Sequence, residues 1–106
     1  MAECLVYMTA SSPEEASTIG RTLVEERLSA CVNLIGPMTA IYRWQGEIET
    51  ANEIVIIAKT RDELVEALTA RVKALHSYDC PCVVVLPIAG GNSEFLDWIA
   101  AETAAQ

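Results

Sequence analysis

Basic residues are scarce in this chain of 106 residues, in which 7 Lys and Arg stand against 15 Asp and Glu and the formal net charge is −8. Nucleic acids and anionic membrane surfaces are bound mainly through basic side chains, so this balance argues against both kinds of partner. The same excess of carboxylates is compatible with the attraction of cations.

Long hydrophobic runs are also missing. The longest uninterrupted apolar stretches, 54–58 and 82–89, fall far below the ~20 residues that a membrane-spanning helix needs. The segment 1–8 has neither a basic region nor a small-residue cleavage site, so we expect no signal peptide. We therefore expect a cytoplasmic location, where four cysteines would be free thiols: Cys4, Cys31, Cys80 and Cys82.

Catalytic motifs are absent from the sequence as well. Histidine occurs once, and no nucleophile–base pair, glycine-rich phosphate loop or zincin motif is visible. We therefore expect that the protein is not an enzyme. Hydrophobic residues make up 52% of the chain and charged residues 21%, so the chain can form a hydrophobic core. Its length suits one domain over residues 1–106.

The first half of the chain shows two strands separated by a helix. A capping box, with Ser12 as N-cap, Pro13 at N1 and Glu15 at N3, marks the start of the helix. The periodicity predicts a strand over 3–9, a helix over 13–30 and a strand over 31–35 that resumes over 38–44 after a bend at 36–37.

The second half repeats this arrangement after a polar, acidic segment that we interpret as a hairpin turn. Thr60 and Glu63 form a second capping box, and Ser93 is the predicted cap of a last short helix. The predicted elements are a turn within 45–52, a strand over 53–60, a helix to about 76, a strand over 82–88 and the helix that follows Ser93.

The order β-α-β-β-α-β with an added C-terminal helix predicts an α+β fold, a ferredoxin-like sandwich. Right-handed crossovers would place both long helices on one face of a four-stranded antiparallel sheet. The strand segments 5–8, 54–57 and 83–86 are apolar on both faces, whereas a sheet with one wet face should alternate. The uncovered face would be a large apolar patch, so we expect subunits to pack sheet to sheet in an obligate oligomer.

Several motifs, in order along nearly the whole chain, resemble those of the CutA divalent-cation tolerance family. They are VEERLSACVN at 24–33, IYRWQGEI at 41–48, KTR at 59–61, HSYDCP at 76–81, LPI at 86–88 and LDWI at 96–99. The resemblance implies a trimer similar in build to the PII signalling proteins. It also implies a role in the tolerance of divalent metals such as copper.

The segment after the histidine departs from the pattern of that family. Ser77 stands where the family usually has Pro, and Asp79 where it has Glu or Gln. Cys80 and Cys82 flank the proline, where the family usually has an apolar residue or Thr and then Glu. The loop is therefore more flexible and richer in thiols than the family pattern.

Metal ligands are one interpretation of the thiols and of the histidine. Cys80 and Cys82 at i, i+2 can point to the same side, and with His76 they could form a three-ligand set for Cu(I), Cu(II) or another divalent metal. Cys31 is a further candidate ligand or redox thiol. Each candidate also has a structural interpretation. Cys31 would be a small buried residue, and His76 would cap a helix. One of Cys80 and Cys82 would pack at the start of the strand, while the other would have no role in the loop.

A ligand cleft is the second interpretation. Lys59 ends a strongly apolar strand, where it could bind an anionic ligand or pair with a carboxylate. Trp44 and Tyr78, together with Cys31 and His76, are the other candidates for lining such a cleft. Trp44 is equally explained as an interface or core aromatic.

The predicted topology separates these candidates into two groups. Cys31 begins the second strand and Lys59 ends the third, so both lie at one end of the sheet. Trp44, His76 and the 80–82 thiols lie toward the other end, and a strand of six residues is about 20 Å long. Only contacts between subunits could join the groups. We keep three hypotheses: a metal-homeostasis trimer, a PII-like module for a small ligand or protein partner, and a structural trimer.

Overall fold

The computed structural model describes residues 2–104 and confirms the predicted order of elements. Its elements are β1 (Glu3–Ala10), α1 (Pro13–Glu25), β2 (Cys31–Trp44), β3 (Glu47–Arg61), a 3-10 turn (Asp62–Leu64), α2 (Val65–Leu75), β4 (Val83–Pro87) and α3 (Ser93–Glu102). The predicted domain, 1–106, extends to residues 1, 105 and 106, which lie outside the described residues. Within 2–104 none of the helices has the length and apolar character to cross a bilayer.

The four strands form one antiparallel sheet in the order β2-β3-β1-β4. β1 and β2 therefore run in one direction and β3 and β4 in the other, as predicted. The register places Cys4 opposite Thr60 and Cys31 opposite Lys59. This ladder sets which side chains share a face of the sheet.

The hydrophobic core lies between one face of the sheet and the helices α1 and α2. Alternate residues of β1 and β3 point into it, because successive strand side chains point to opposite faces. Each large apolar side chain buried in this way stabilises the fold by roughly 1.5–3 kcal/mol. The core includes Val6, Met8, Ile56, Ile19, Leu23, Leu68 and Val72, all without exposed surface.

The opposite face, which we call the outer face, is covered only in part. α3 contacts β3 and β1, and Arg61 donates from Nε to Thr103 Oγ1 and from Nη2 to the Thr103 carbonyl, both at 2.8 Å. Arg61 points to the outer face because its neighbour Thr60 points to the core side, where its hydroxyl donates to the carbonyl of Leu28. Elsewhere on the outer face Val84 is 53% exposed.

β2 and β3 extend beyond the rest of the sheet as a two-stranded arm, residues 38–53. β1 pairs with β3 only over residues 54–61, so the arm strands pair only with each other. The hairpin turn predicted within 45–52 is confirmed, and it consists of Gln45 and Gly46 alone. Both have positive φ, 50° and 84°, which gives the tight connection that twisted hairpins favour. The polar residues after them are exposed strand.

The first helix is shorter than predicted and ends at Glu25 instead of residue 30. Arg27 has φ of 60°, and the amides of Arg27 and Leu28 donate to the carbonyls of Val24 and Leu23. This is a Schellman ending with arginine in the left-handed position that glycine usually takes. At the other end, Ser12 Oγ accepts from the Glu15 amide as predicted.

Two other predicted caps are wrong. Thr60 is completely buried and donates to Leu28, so it does not cap the second helix. Arg61 occupies the cap position and makes no side-chain cap bond. At α3 the cap is Asn92, whose side chain accepts from the Glu94 amide, and Ser93 is already helical. Thr60 thus donates to a distant carbonyl instead of capping a helix. At α3 the neighbouring Asn92 takes the capping position predicted for Ser93.

Candidate functional site

Lys59 is held on the outer face at the end where β2 begins and β3 ends. Its Nζ lies 3.4 Å from Cys31 Sγ and donates to the side-chain oxygen of Asn33. We call these three residues the Lys59 cluster. Cys31 and Lys59 are register partners, and Asn33 shares their face because it follows Cys31 by two residues.

The backbone around the Lys59 cluster is fixed by a buried serine. Ser29 Oγ lies 2.7 Å from the Cys31 carbonyl and 2.9 Å from the Lys59 carbonyl, and the Ala30 amide donates to the same Lys59 carbonyl. Ser29 is only 1% exposed. The sequence interpretation missed Asn33 and Ser29, although the i, i+2 spacing of Asn33 from Cys31 carried the signal for the first.

His76 lies at the other end of the sheet, with a side chain that has no exposed surface. Its Nε2 is 2.8 Å from the carbonyl oxygen of Thr9, and its Nδ1 accepts from the Tyr78 amide at 3.0 Å. A carbonyl oxygen only accepts, so Nε2 carries the proton and Nδ1 offers its lone pair to the amide. Both ring nitrogens therefore have backbone partners, and neither is free for a metal ion.

Glu15 connects the start of α1 to the loop after α2. Its carboxylate accepts from the Ser11 amide at 2.8 Å, the Ser11 hydroxyl at 2.9 Å and the Ser77 amide at 2.7 Å. Burial opposes its ionisation, but the hydrogen bonds from Ser11 and Ser77 outweigh burial and lower the pKa of Glu15 to about 2. The carboxylate completes the predicted capping box through Ser11 instead of Ser12, a detail that the spacing alone did not reveal.

Tyr78 connects the same loop to the base of the arm. Its hydroxyl donates to Glu53 at 2.9 Å, and its ring lies 4.8 Å from that of His76. Burial and the Glu53 carboxylate raise the pKa of Tyr78 to about 12. Trp44, by contrast, lies near the tip of the arm, where it is 59% exposed and opposite Glu47 in the register.

The thiols after Tyr78 do not form the predicted ligand set with His76. Cys80 is exposed, Cys82 is half-buried, and all four cysteines are free. Burial and the nearby Glu53 raise the pKa of Cys82, which disfavours the thiolate that binds metals. Within residues 2–104 no three His, Cys, Asp or Glu side chains come together as metal ligands. His76 does not complete the predicted set because its ring is turned toward Thr9.

The structure thus separates the candidate residues into two groups at opposite ends of the sheet. Cys31 and Lys59 form one group with Asn33, while His76 and Tyr78 form the other with Glu15. The first group presents an ammonium and a thiol on a partly open apolar face. The second is a hydrogen-bonded network that joins the end of β1, the start of α1, the loop after α2 and the base of the arm.

Comparison with known proteins identifies relatives of this arrangement. The chain matches the family described as CutA1 divalent ion tolerance protein over residues 4–102. It is 50% identical over 101 residues to the divalent-cation tolerance protein CutA of Thermus thermophilus, covering 95% of this chain and 98% of that protein. Protein CutA of Homo sapiens is 41% identical over 97 residues, which are 92% of this chain and 54% of the human protein.

Solved structures agree with the sequence relatives. The divalent cation tolerance protein Cut A1 from Thermus thermophilus matches with a TM-score of 0.95 at 49% identity, over 96% of this chain and 99% of that chain. The periplasmic divalent cation tolerance protein CutA from Archaeoglobus fulgidus gives a TM-score of 0.94 at 43% identity, with the same coverage. Because these matches span nearly the whole sequence, the chain belongs to the CutA1 family of divalent ion tolerance proteins.

Proposed function

We propose that this chain acts as a homotrimer in the tolerance of divalent metal ions, copper among them, and that it binds metal between subunits. The role is one of binding and not of catalysis. The observation that carries the proposal is the uncovered apolar arm, because it makes the isolated subunit incomplete. The number of subunits is taken from the family that the motifs resemble.

The arm argues for assembly because three of its large apolar side chains stay exposed among the described residues, 2–104. Ile41 is 72% exposed, Ile48 61% and Trp44 59%. A two-stranded hairpin is marginally stable at best in water, and contiguous exposed apolar surface is typical of an interface. The partly open outer face, with Val84 and Leu86 about half exposed, extends the surface available to a second copy.

A metal site that combines Cys31 with Cys80 and Cys82 would also require the assembly of subunits. Cys31 lies at one end of the sheet, and Cys80 and Cys82 follow the loop at the other end. A second subunit could bring these ends together, and thiolates are soft ligands that select Cu(I). The net charge of −8 favours the approach of cations.

The oligomeric part is tested by sedimentation equilibrium of the wild type and of Ile41→Lys. We expect a trimer for the wild type and a smaller species for the variant, because a charge would be buried in the interface. Ala67→Lys, an equal charge change on the exposed surface of α2, is the matched control and should stay trimeric. A monomeric wild type at micromolar concentration would contradict the proposal.

The metal part is tested by anaerobic titration of the reduced protein with Cu(I) against a competing chelator. We expect competitive binding that is lost both in Cys31→Ser and in the double variant Cys80→Ser, Cys82→Ser. Loss in only one of them would restrict the site to one end of the sheet. A wild type that cannot compete for Cu(I) would remove direct thiol binding from the proposal.

A small anionic ligand in a PII-like cleft is the second candidate, and one observation favours it. Lys59 presents a cation on the outer face, where the side chain of Asn33 holds it. An anion that binds there would raise the melting temperature without any metal, and Lys59→Met would abolish that rise. If neither metal nor anion binds, the trimer has a structural role.

We further propose that the protein works in the cytoplasm. The support is chemical, since all four cysteines are free and a reducing compartment keeps them so. Fractionation of cells that express the tagged protein tests the location. Recovery in an oxidising compartment would overturn it.

A further inference from the structure

The contact between Lys59 and Cys31 brings an amine-bearing side chain next to an oxidisable thiol. Lys59 Nζ lies 3.4 Å from Cys31 Sγ, and the Asn33 side chain holds the ammonium from the other side. Both side chains are half-buried, and the register of β2 and β3 keeps them on one face. The pair is therefore positioned before any reagent arrives.

We propose that Cys31 and Lys59 form a modification site at which a peroxide oxidant creates a covalent sulfur–nitrogen bond between the two side chains. The inference rests on contacts within one chain and goes beyond the proposed metal function. It assigns to the cysteine a chemical fate that neither a metal ligand nor a packed core residue would have.

The chemistry balances with one peroxide for each bond formed. The Cys31 sulfur attacks the peroxide, the O–O bond breaks, and a sulfenic acid and one water result. Lys59 first loses one ammonium proton to solvent, and its neutral amine then attacks the oxidised sulfur, so that an S–N bond forms and the S–O bond breaks to release a second water. The thiol proton and one amine proton leave in the two waters. The sulfur is oxidised by two electrons and the peroxide is reduced.

The other thiols lack this arrangement. Cys4 has no exposed surface, and burial together with the nearby Asp62 carboxylate raises its pKa to about 11, so its thiol is inert. Across residues 2–104 the hydrogen bonds join no lysine to Cys80 or Cys82. The chain has two lysines in all, and the second, Lys73, lies in the last turn of α2.

Two consequences follow for the outer face. The bond would remove the positive charge of Lys59 and would release Asn33 from its ammonium partner. It would also tie the beginning of β2 to the end of β3 covalently, next to the ladder that already pairs them. Oxidation would therefore abolish an anion site at Lys59 and would remove Cys31 from the pool of metal-binding thiols.

Peptide mass spectrometry of the peroxide-treated, assembled protein tests the proposal. Tryptic cleavage places Cys31 alone in peptide 28–43, while Lys59 ends peptide 44–59. A linked Lys59 is not cleaved, so we expect 28–43 joined to 44–61 with the loss of two hydrogen atoms. Thiol reductant should reverse the link, because a thiol can attack its sulfur.

Lys59→Arg is the matched variant, because it keeps the positive charge while its guanidinium is a poor nucleophile. We expect Cys31 in this variant to stop at the sulfenic acid, which a sulfenic-acid trap captures, or to proceed to the sulfinic acid. Trapped sulfenic acid in the wild type without the link would overturn the proposal, as would unreacted Cys31 or a link to Lys73. The link is read from peptide masses of the metal-free protein, and neither Cu(I) binding nor the number of subunits enters that readout, so its failure is distinguishable from failure of the proposed function.

Discussion

The Nε2 atom of His76 lies 2.8 Å from the main-chain carbonyl oxygen of Thr9, and the imidazole between them has no exposed surface. The bond connects the end of α2 to the end of β1, 67 residues apart in the sequence. The histidine that the sequence offers as a metal ligand or a helix cap does occupy the C-cap position of α2, and its ring is a buried bridge between two core elements. Its second nitrogen holds the loop that leads to Cys80 and Cys82.

Replacement of His76 should destabilise the protein. We expect His76→Ala to lower the free energy of unfolding by about 2–4 kcal/mol, because it leaves a cavity and an unpaired buried carbonyl. His76→Gln should lose less, since its amide can donate to Thr9 and accept from Tyr78. Urea unfolding at one fixed protein concentration measures both. Asp79→Ala, an exposed change in the same loop, is the control, and an equal loss in all three variants would contradict the bridge.

Glu15 should make stability depend on pH in the acid range. Its pKa falls on folding, from 4.5 to about 2, so its contribution is complete above the unfolded value and is lost as the pH falls toward the folded value. We expect the wild type to lose about 1–3 kcal/mol of unfolding free energy between these limits through this group. Glu15→Gln should flatten that part of the profile, whereas Glu14→Gln, at an exposed neighbour, should not. Identical profiles for the two variants would refute the assignment.

The N-cap of α3 gives a prediction in which substitutions of two adjacent residues differ in their effect on stability. Asn92 accepts from the Glu94 amide at 3.0 Å, and Ser93 is the first helical residue. We expect Asn92→Ala to lower the unfolding free energy by about 1 kcal/mol and Ser93→Ala to change it by less than about 0.5 kcal/mol. Thermal unfolding followed by circular dichroism compares the two. A larger loss in Ser93→Ala would restore the cap that the sequence predicted.

The turn of the arm gives a test of backbone strain alone. Gly46 has φ of 84°, and a Cβ added there meets nothing within 4 Å, as at Gly90, whose φ lies outside the left-handed region. Gly46→Ala should therefore cost about 1 kcal/mol through conformation, while Gly90→Ala should be neutral or slightly stabilising. Differential scanning calorimetry of both variants checks the difference. Equal melting temperatures would show that the turn is not coupled to global unfolding.

Local sequence patterns predict most of the helices and strands of the fold. The helical spacing and the Ser12 cap locate α1, the apolar runs locate the strands, and the alternation of strand and helix leads to the antiparallel sheet with two helices on one face. These features depend on residues that lie close together in the sequence. For this reason they can be predicted from the sequence. The two-sided apolar strands likewise indicate an uncovered face.

The details of the site depend on partners far apart in the chain, and for this reason the spacing did not reveal them. The local pattern offers Thr60 as a helix cap, and only the packed structure decides that its hydroxyl donates instead to the distant carbonyl of Leu28. His76 likewise turns to Thr9 instead of to the thiols six residues or fewer away. The sequence by itself determined the elements and their faces. The tertiary structure decided which polar groups pair, because burial makes each of them bind the partner that the register brings closest.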